Sequence, residues 1–234
     1  MEFSEGIIYL STDTPHHRYL IKSFEKEKIF FDKIFFETTS IKPKFKIEQF
    51  EKKKINKFEK KFFFKFSNQV EKKNIRLVKN INSKIVYNYI KKKKPKICIV
   101  FGTRKIDKKI INLFQKKFII NIHRGIMSKY RGLDSDLWAI LENRLDHVGI
   151  TIHEVKEKLD SGRTFYEKKL NLKNKKIFQL RYFTTVMAVK YLLILIKKII
   201  KKKKIKMKQL RLGKYYSFMP LILKNKCKQI LENA

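Results

Sequence analysis

The chain of 234 residues has little cysteine and no long hydrophobic run. Its two cysteines, Cys98 in an apolar segment and Cys227 near the end, have the spacing of neither a metal site nor a disulfide framework, so we expect a reduced, cytoplasmic protein. The first residues lack a basic stretch followed by a long apolar run, so no signal peptide is expected. The most apolar later segment, residues 191–196, is far too short to predict a membrane span.

Acidic residues are also scarce: 21 Asp and Glu stand against 58 Lys and Arg, and the formal net charge is +37. Such a charge favours a polyanionic partner such as RNA or a membrane surface. However, only nine of the basic residues are Arg, whose planar guanidinium suits bidentate phosphate contacts. The chain is also rich in Ile, Phe and Asn, which like Lys have A/T-rich codons. A biased nucleotide composition therefore explains the charge, and we favour a solvated Lys-rich surface over a nucleic-acid site.

The sequence shows no internal repeat and no linker rich in Gly, Ser or Pro, and short apolar runs alternate with helical patterns. The runs that predict strands are 7–10, 34–36, 75–78, 97–101, 118–123, 148–153 and 164–170. The segments that predict helices between them are 16–24, 83–91 and 106–114. This alternation predicts an α/β fold with a parallel sheet.

Two longer segments predict amphipathic or long helices. Residues 44–73 contain neither Gly nor Pro, and the aromatic residues at helical spacing in them are Phe45, Phe50, Phe58 and Phe62. We favour a buried helix face for these rings over base stacking with single-stranded nucleic acid. Residues 174–203 predict one long helix, and its expected inner residues are Phe178, Tyr182, Met187, Leu192 and Leu195.

The turn after the first predicted strand has no glycine-rich phosphate loop, so a dinucleotide-binding fingerprint is absent. In its place stand His16, His17 and Arg18, at the start of the next predicted helix. An anionic group could be held there by charge and by backbone N–H groups. A polar first turn that merely caps the helix is the alternative.

The polar residues with the most chemical potential lie between residues 121 and 160. Asn121 and His123 end an apolar segment, and strand alternation puts both on one face, at the end where open α/β sheets usually carry their active sites. The strand predicted at 148–153 leads to a loop that closes with Asp160. An amide, an imidazole and a carboxylate could thus converge on one point. The alternative is that the Asn and His satisfy local hydrogen bonds and that Asp160 belongs to an ordinary turn.

The order of motifs in this region resembles the folate-dependent formyltransferases, which include glycinamide ribonucleotide formyltransferase, the catalytic domain of methionyl-tRNA formyltransferase and the sugar N-formyltransferases. The motifs are Phe101-Gly102-Thr103-Arg104, Asn121-x-His123, Tyr130-Arg131-Gly132, Gly149-Ile150-Thr151-Ile152-His153 and Leu159-Asp160-Ser161-Gly162. The resemblance implies a Rossmann-like α/β fold, with a mostly parallel sheet and helices on both faces. We expect a catalytic domain at 1–172 and a helical C-terminal extension at 173–234 packed on it.

The resemblance further implies that Asn121, His123 and Asp160 are the catalytic residues and act on 10-formyltetrahydrofolate. The residue types suit this chemistry, because the Asn121 amide and a protonated His123 can donate hydrogen bonds to the oxyanion formed when an amine attacks the formyl carbon. His123 can also pass a proton from the amine to the departing folate nitrogen, while Asp160 orients the imidazole or holds a relaying water. No metal is required.

The loops expected to surround the pterin, largely through backbone groups, lie at 102–106 and 154–160. The residues assigned to the co-substrate are Gly102, Thr103, Arg104, Lys105, Ile106, His153 and Glu154. His153 is equally compatible with a place in the core.

The acceptor is a primary amine of a small molecule in this interpretation. Residues 124–128 depart from the Ser-Leu-Leu-Pro type of loop of many members, and Asp134 and Asp136 add two carboxylates after Tyr130 and Arg131. We assign Tyr130, Arg131, Asp134 and Asp136 to the acceptor site. Asp134 or Asp136 would bind the ammonium or hydroxyl groups of the acceptor. Its phosphate would be bound by Arg131 or by the cluster of His16, His17 and Arg18. A helix N-terminus enriched in acids is the alternative.

An amino sugar carried on a nucleotide is the expected acceptor. The 74 residues after Asp160 predict a helix and a tail rather than a strand-rich domain, which disfavours initiator tRNA, although the basic surface keeps nucleic acid possible. The missing glycine-rich turn disfavours a purine-pathway nucleotide such as glycinamide ribonucleotide. The competing class is a catalytically inactive RNA-binding relative. No oligomeric state is predicted.

Overall fold

The computed structural model describes residues 6–39, 45, 50–63, 74–115 and 117–233, which contain nine strands and seven helices. The strands are β1 (Ile7–Thr12), β2 (Lys33–Glu37), β3 (Ile75–Val78), β4 (Ile97–Phe101), β5 (Phe118–His123), β6 (Tyr130–Gly132), β7 (Gly149–Glu154), β8 (Thr164–Lys169) and β9 (Lys214–Tyr216). The helices are α1 (Pro15–Lys26), α2 (Lys52–Phe63), α3 (Lys84–Lys93), α4 (Lys108–Ile111), α5 (Ser135–Leu141), α6 (Leu180–Ile200) and α7 (Leu221–Glu232).

Seven strands form the main sheet in the order β3-β2-β1-β4-β5-β7-β8. The first five strands of this order are parallel to one another, β7 is antiparallel to β5, and β8 is antiparallel to β7. The predicted α/β fold with a mostly parallel sheet is therefore confirmed. β6 and β9 form a separate parallel pair.

Both faces of the sheet are buried, which explains the nearly continuous apolar sequence of its central strands. On one face, Tyr9 of β1 and Ile99 of β4 belong to a core completed by α1 and α6. On the other face, Leu10 and Val100 belong to a core completed by α3 and α4. Helices cover both faces, as expected.

The helix after the sheet is shorter than predicted. The predicted segment 174–203 contains a 3-10 turn at Ile177–Gln179, and α6 runs only from Leu180 to Ile200. Of its expected inner residues, Leu192 and Leu195 are buried, whereas Phe178, Tyr182 and Met187 are only partly buried. The predicted segment 106–114 likewise divides into α4 and a 3-10 turn at Asn112–Phe114.

The C-terminal residues are part of the same packed structure. The residues of α6 that join the core of β1 and β4 are Ala188, Val189, Leu192, Leu195 and Ile196. α7 packs on α5, where the Cys227 thiol donates to the Leu137 carbonyl at 3.2 Å. The predicted division between 1–172 and 173–234 remains a prediction, and the described core continues across it.

The Phe-rich segment predicted as a helix at 44–73 contains α2. Outside α2, Phe45 is exposed, and residues 44, 46–49 and 64–73 lie outside the described residues. The rings of Phe58, Phe62 and Phe63 lie 5.4, 5.2 and 5.0 Å from the ring of Tyr182 on α6. These contacts favour a packed helix face over a nucleic-acid site.

In the described part of the chain, no helix is long and apolar enough to cross a membrane. Cys98 and Cys227 are both buried free thiols. The cytoplasmic location remains a prediction.

The contribution of α6 to the core gives a first prediction. Replacing Leu192 by Ala should lower the free energy of unfolding by about 2–5 kcal/mol, because the side chain is fully buried and its removal leaves a cavity. Leu77→Ala, at a leucine with 62% exposure, should change it by less than about 1 kcal/mol. Chemical denaturation of both variants measures the difference. Equal losses of unfolding free energy in Leu192→Ala and Leu77→Ala would show that α6 is not part of the core.

Candidate active site

Asn121 and His123 lie at the C-terminal end of β5, next to the antiparallel strand β7. The intervening residue Ile122 joins the core that contains α1 and α6, so strand alternation places Asn121 and His123 on the opposite face. Asn121 is directly opposite His153 of β7 in the strand register. The sheet therefore brings one amide and two imidazoles to one edge.

Asp160 completes this group from the loop between β7 and β8. Its Oδ1 lies 3.4 Å from His153 Nε2 and 3.5 Å from Asn121 Nδ2. Its Oδ2 accepts a hydrogen bond of 2.9 Å from the Gly132 N–H and lies 3.6 Å from His123 Nδ1. The three residues predicted to be catalytic thus meet around one buried carboxylate, and His153 joins them.

Hydrogen bonds to backbone carbonyls fix the orientation of both imidazoles. His153 Nδ1 donates to the Glu154 carbonyl at 2.8 Å, and His123 Nε2 donates to the Tyr130 carbonyl at 3.1 Å. In each ring the second nitrogen faces Asp160. The Asn121 Nδ2 group donates to His153 Nε2 at 3.1 Å, which orients the amide.

The carboxyl group of Asp160 is ionised. Burial raises its pKa, but the charge of His123, the neighbouring His153 imidazole and the hydrogen bond from the Gly132 N–H together outweigh burial. The pKa of Asp160 therefore lies well below its usual range. A fixed negative charge stands between the two imidazoles.

The loop after His123 is anchored by β7 and β8. The Thr151 hydroxyl donates to the Gly125 carbonyl at 2.7 Å and accepts from the Met127 N–H at 3.0 Å. A Cβ on Gly125 would lie 2.6 Å from both His123 Nε2 and Ser135 Cβ. Glycine at this position therefore lets the loop pass directly against the imidazole.

Glu167 of β8 holds the next residue of this loop. Its carboxylate accepts hydrogen bonds from the Ser128 N–H at 3.0 Å and the Ser128 hydroxyl at 2.7 Å. The sequence alone did not single out Thr151 or Glu167 as supports, because these direct contacts depend on how β7 and β8 lie beside the loop.

Two residues assigned to the acceptor from sequence make internal contacts. The buried Arg131 donates to the carbonyls of Gly213 at 2.7 Å and Leu159 at 3.2 Å, so it ties the turn of Asp160 to the C-terminal segment. The Tyr130 hydroxyl donates to Glu142 at 2.7 Å. Their role in acceptor binding remains a prediction without support from these contacts.

The cluster at the start of α1 carries no free positive charge. The rings of His16 and His17 lie 4.0 Å apart, and the His17 ring packs against Phe101 at 4.5 Å. Burial lowers the pKa of His17 to about 3 and that of His16 well below its usual value, so both are neutral. Arg18 forms a bidentate ion pair with Asp13, at 2.5 and 2.8 Å. Binding of the acceptor's phosphate by this cluster therefore remains a prediction without support from these contacts.

The two added carboxylates have different surroundings. Asp134 accepts hydrogen bonds of 2.9 Å from the Met219 N–H and from the Lys224 ammonium, so it fastens α7 to the start of α5. Asp136 is buried, and burial raises its pKa. Its carboxylate accepts a hydrogen bond from the Leu137 N–H. Asp136, rather than Asp134, is thus the better candidate for an acceptor contact.

The loops expected around the pterin lie on either side of a cavity of about 360 Å³. The residues that line it are Lys105, Ile106, Asp107, Lys108, Lys109 and Glu157. Lys108, the first residue of α4, forms an ion pair of 3.0 Å with Glu157 of the second loop. The cavity is lined by only two of the residues assigned to the co-substrate, Lys105 and Ile106.

Side-chain and steric contacts fix other members of these loops. Arg104 forms an ion pair of 2.5 Å with the buried Glu37 at the end of β2 and donates to the Thr39 hydroxyl. Gly102 has a φ of +67°, and a Cβ there would lie 2.6 Å from the His17 ring. The Thr103 hydroxyl donates to the Arg104 carbonyl, and Glu154 pairs with Arg163 at 3.1 Å. Binding of the co-substrate by these residues remains a prediction.

Among curated proteins, methionyl-tRNA formyltransferase of Borreliella afzelii (strain PKo) is 36% identical over 91 residues, which are 38% of this chain and 28% of that protein. The chain spans between 17% and 31% of the lengths of four curated relatives that it matches.

Solved structures share the fold. HypX from Aquifex aeolicus in complex with tetrahydrofolic acid has a TM-score of 0.62 at 15% identity, and the match covers 93% of this chain and 30% of that one. The formyltransferase PseJ from Anoxybacillus kamchatkensis, in complex with UDP-4,6-dideoxy-4-formamido-L-AltNAc and tetrahydrofolate, has a TM-score of 0.54 at 19% identity, with 94% and 89% coverage.

The model of the formyl transferase family matches residues 50–179, which include β5, β7 and Asp160. Because this match covers more than half of the sequence, the chain belongs to the formyl transferase family, and the resemblance inferred from its motifs is confirmed.

Proposed function

We propose that the protein transfers a formyl group from 10-formyltetrahydrofolate to a primary amine, with Asn121, His123 and Asp160 as the catalytic residues. The observation that carries this proposal is the convergence of the three side chains around one ionised, buried carboxylate at the end of β5. Membership of the formyl transferase family supports the reaction class. The fold shared with structures that bind tetrahydrofolate supports the co-substrate.

In the first step, the neutral amine attacks the formyl carbon and a tetrahedral intermediate with an oxyanion forms. The amide of Asn121 has two N–H groups on Nδ2. One donates to His153 at 3.1 Å, and the other makes only a long contact of 3.5 Å with Asp160 Oδ1, which it can exchange for a hydrogen bond to the oxyanion. His153 thus acts as a positioning residue for the amide.

In the second step, the bond between the formyl carbon and the folate nitrogen N10 breaks. The amine loses a proton and N10 gains one. The Nδ1 atom of His123 is the nitrogen that can exchange this proton, because the Nε2 hydrogen is donated to the Tyr130 carbonyl. Asp160 faces Nδ1, so its negative charge stabilises the imidazolium while the proton is held there.

The acceptor that we propose is an amino sugar linked to a nucleotide, or a related phosphorylated amine. A relative in fold, PseJ, was crystallised with a formylated amino sugar attached to UDP, which supports this class. Its formyl group stands on a sugar amine, so the same kind of nitrogen would be the nucleophile here. Asp136, buried beside the loop of His123, is the carboxylate proposed to contact this acceptor.

A tRNA acceptor is the second candidate, because the curated relatives include methionyl-tRNA formyltransferases and the net charge is +37. Binding of tRNA releases counterions, so a tRNA-directed activity should fall by a factor of about 10³ or more as salt rises from about 0.05 M to about 0.2 M. The activity towards a nucleotide-linked sugar should fall far less over the same range of salt concentration. An inactive RNA-binding relative would show no transfer and would ignore changes at His123.

The catalytic assignment predicts the effect of two substitutions. His123→Ala should abolish measurable formyl transfer, and Asn121→Ala should lower kcat by about 100- to 1000-fold, since one oxyanion donor is lost. Release of tetrahydrofolate, followed with a panel of amino sugars, their phosphates and their nucleotide-linked forms, measures both effects.

Matched controls are His147→Ala, outside the group around Asp160, and Asn112→Ala on the surface. Both should retain activity within about threefold, a small change on the scale of a lost donor. Full activity of His123→Ala, with folding unchanged, would contradict the assignment.

The ionised state of Asp160 predicts a pH dependence of stability. Because its pKa in the folded state is depressed, the carboxylate stabilises the fold at pH values above the ordinary value of 3.8 and loses this effect as pH falls below it. The advantage of the wild type over Asp160→Asn in the free energy of unfolding should therefore shrink as the pH falls from about 4 to about 2. Denaturant titrations at several pH values measure this. An advantage that stays constant would mean that Asp160 is not held as a buried anion.

A further inference from the structure

Arg124, the residue directly after His123, is a partly buried arginine whose side chain has no hydrogen bond or ion pair to any other described residue. The arginines with such partners are Arg18, Arg104, Arg131, Arg144, Arg163 and Arg181. The other two, Arg76 and Arg211, are exposed to solvent. A guanidinium has five N–H donors, so a partly buried one without partners is suited to an external anion.

Arg124 stands between His123 and Gly125, and the Gly125 backbone packs against Ser135 at the start of α5. The charge of Arg124 contributes to lowering the pKa values of His16 and His17 in the first turn of α1, and it opposes the effect of burial on Asp136 in the first turn of α5. No carboxylate among the described residues lies within 4 Å of its guanidinium. The positive charge is therefore present at the site without being neutralised there.

The loop that carries Arg124 is rigidly placed. Thr151 fixes the next residue, Gly125, through its carbonyl, and Gly125 packs between the His123 imidazole and Ser135. The Ser135 hydroxyl on the far side of this contact is buried and has no hydrogen-bond partner. A side chain on such a loop can hold a ligand at a fixed distance from the reacting imidazole.

The other groups expected to bind an acceptor's phosphate are either paired within the protein or uncharged. Arg131 donates to two backbone carbonyls, Arg18 is paired with Asp13, and the two histidines of α1 are neutral. Lysines are abundant over the whole surface and give no directional contact. Among the arginines of the described part of the chain, Arg124 is thus the one beside His123 that remains available.

We propose that Arg124 determines acceptor specificity by binding an anionic group, a phosphate or a carboxylate, of the amine that receives the formyl group. The planar fork of the guanidinium would bind two oxygens of this group at once. The inference rests on the proposed function and narrows it, because the acceptor must carry an anion close to its amine. An uncharged amine would lose this contact.

The test compares Arg124→Gln with Arg211→Gln, which removes the same charge from an exposed arginine. Arg124→Gln should raise KM about 10- to 100-fold for acceptors with a phosphate or a carboxylate, the effect of losing charge-assisted hydrogen bonds. KM for 10-formyltetrahydrofolate, and KM for the matching uncharged amine, should stay within about threefold, well below that effect. Arg124→Lys keeps the charge but loses the planar fork, so its KM for these anionic acceptors should lie between those of Arg124→Gln and Arg211→Gln.

A binding measurement separates this inference from the proposed function. Calorimetric titration with inorganic pyrophosphate and with malonate, at physiological salt, should show at least one anion bound about tenfold more weakly by Arg124→Gln than by Arg211→Gln. The anion affected tells a phosphate from a carboxylate group. If both variants bind both anions equally, or if neither anion binds the wild type, the inference is overturned.

The two proposals fail in different ways. Loss of anion binding in Arg124→Gln, together with formyl transfer that ignores His123→Ala, would retain the anion site and reject the catalytic assignment. Formyl transfer that needs His123 but has the same acceptor KM in both arginine variants would retain the reaction and reject Arg124 as its specificity residue.

Discussion

A buried negative charge must be compensated by nearby donors, and the carboxylate of Asp160 meets this requirement with groups from three strands. Asn121 and His123 come from β5, His153 from β7 and the Gly132 N–H from β6. An uncompensated carboxylate at this depth would cost several kcal/mol. The same contacts that stabilise the charge therefore set the positions of the amide and the imidazole. Both the stability of this region and the proposed catalysis therefore depend on how the charge of Asp160 is compensated.

The antiparallel strands at the edge of the sheet make this arrangement possible. Because β7 runs against β5, His153 lies opposite Asn121, and the chain that leaves β7 turns back across the end of β5. Asp160 lies in that return loop, and Arg131 holds the turn through the Leu159 carbonyl. Arg131 in turn contacts Gly213, so the C-terminal segment supports the site although it contributes none of the four side chains.

Sequence patterns predicted the seven strands of the main sheet, because hydrophobic alternation is a local property. The order of the motifs indicated that Asn121, His123 and Asp160 could meet. Sequence patterns did not predict β6, β9 and α7, which depend on contacts between distant parts of the chain, such as that between Arg131 and Gly213 over 82 residues. The role of His16 and His17 in acceptor binding stays a prediction, and the lowering of their pKa values by burial beside Phe101 could not be read from the sequence. Arg124 was visible as a departure from the loop usual in the family, but its lack of partners required the structure.

The most direct test of the account is a crystal structure of the protein with tetrahydrofolate. The account predicts that the pterin lies between the loops at 102–106 and 154–160, with N10 within about 3.5 Å of the Asn121 amide or the His123 imidazole. Tetrahydrofolate bound elsewhere, for example at the turn between β1 and α1, with no part of it near Asp160, would contradict the account.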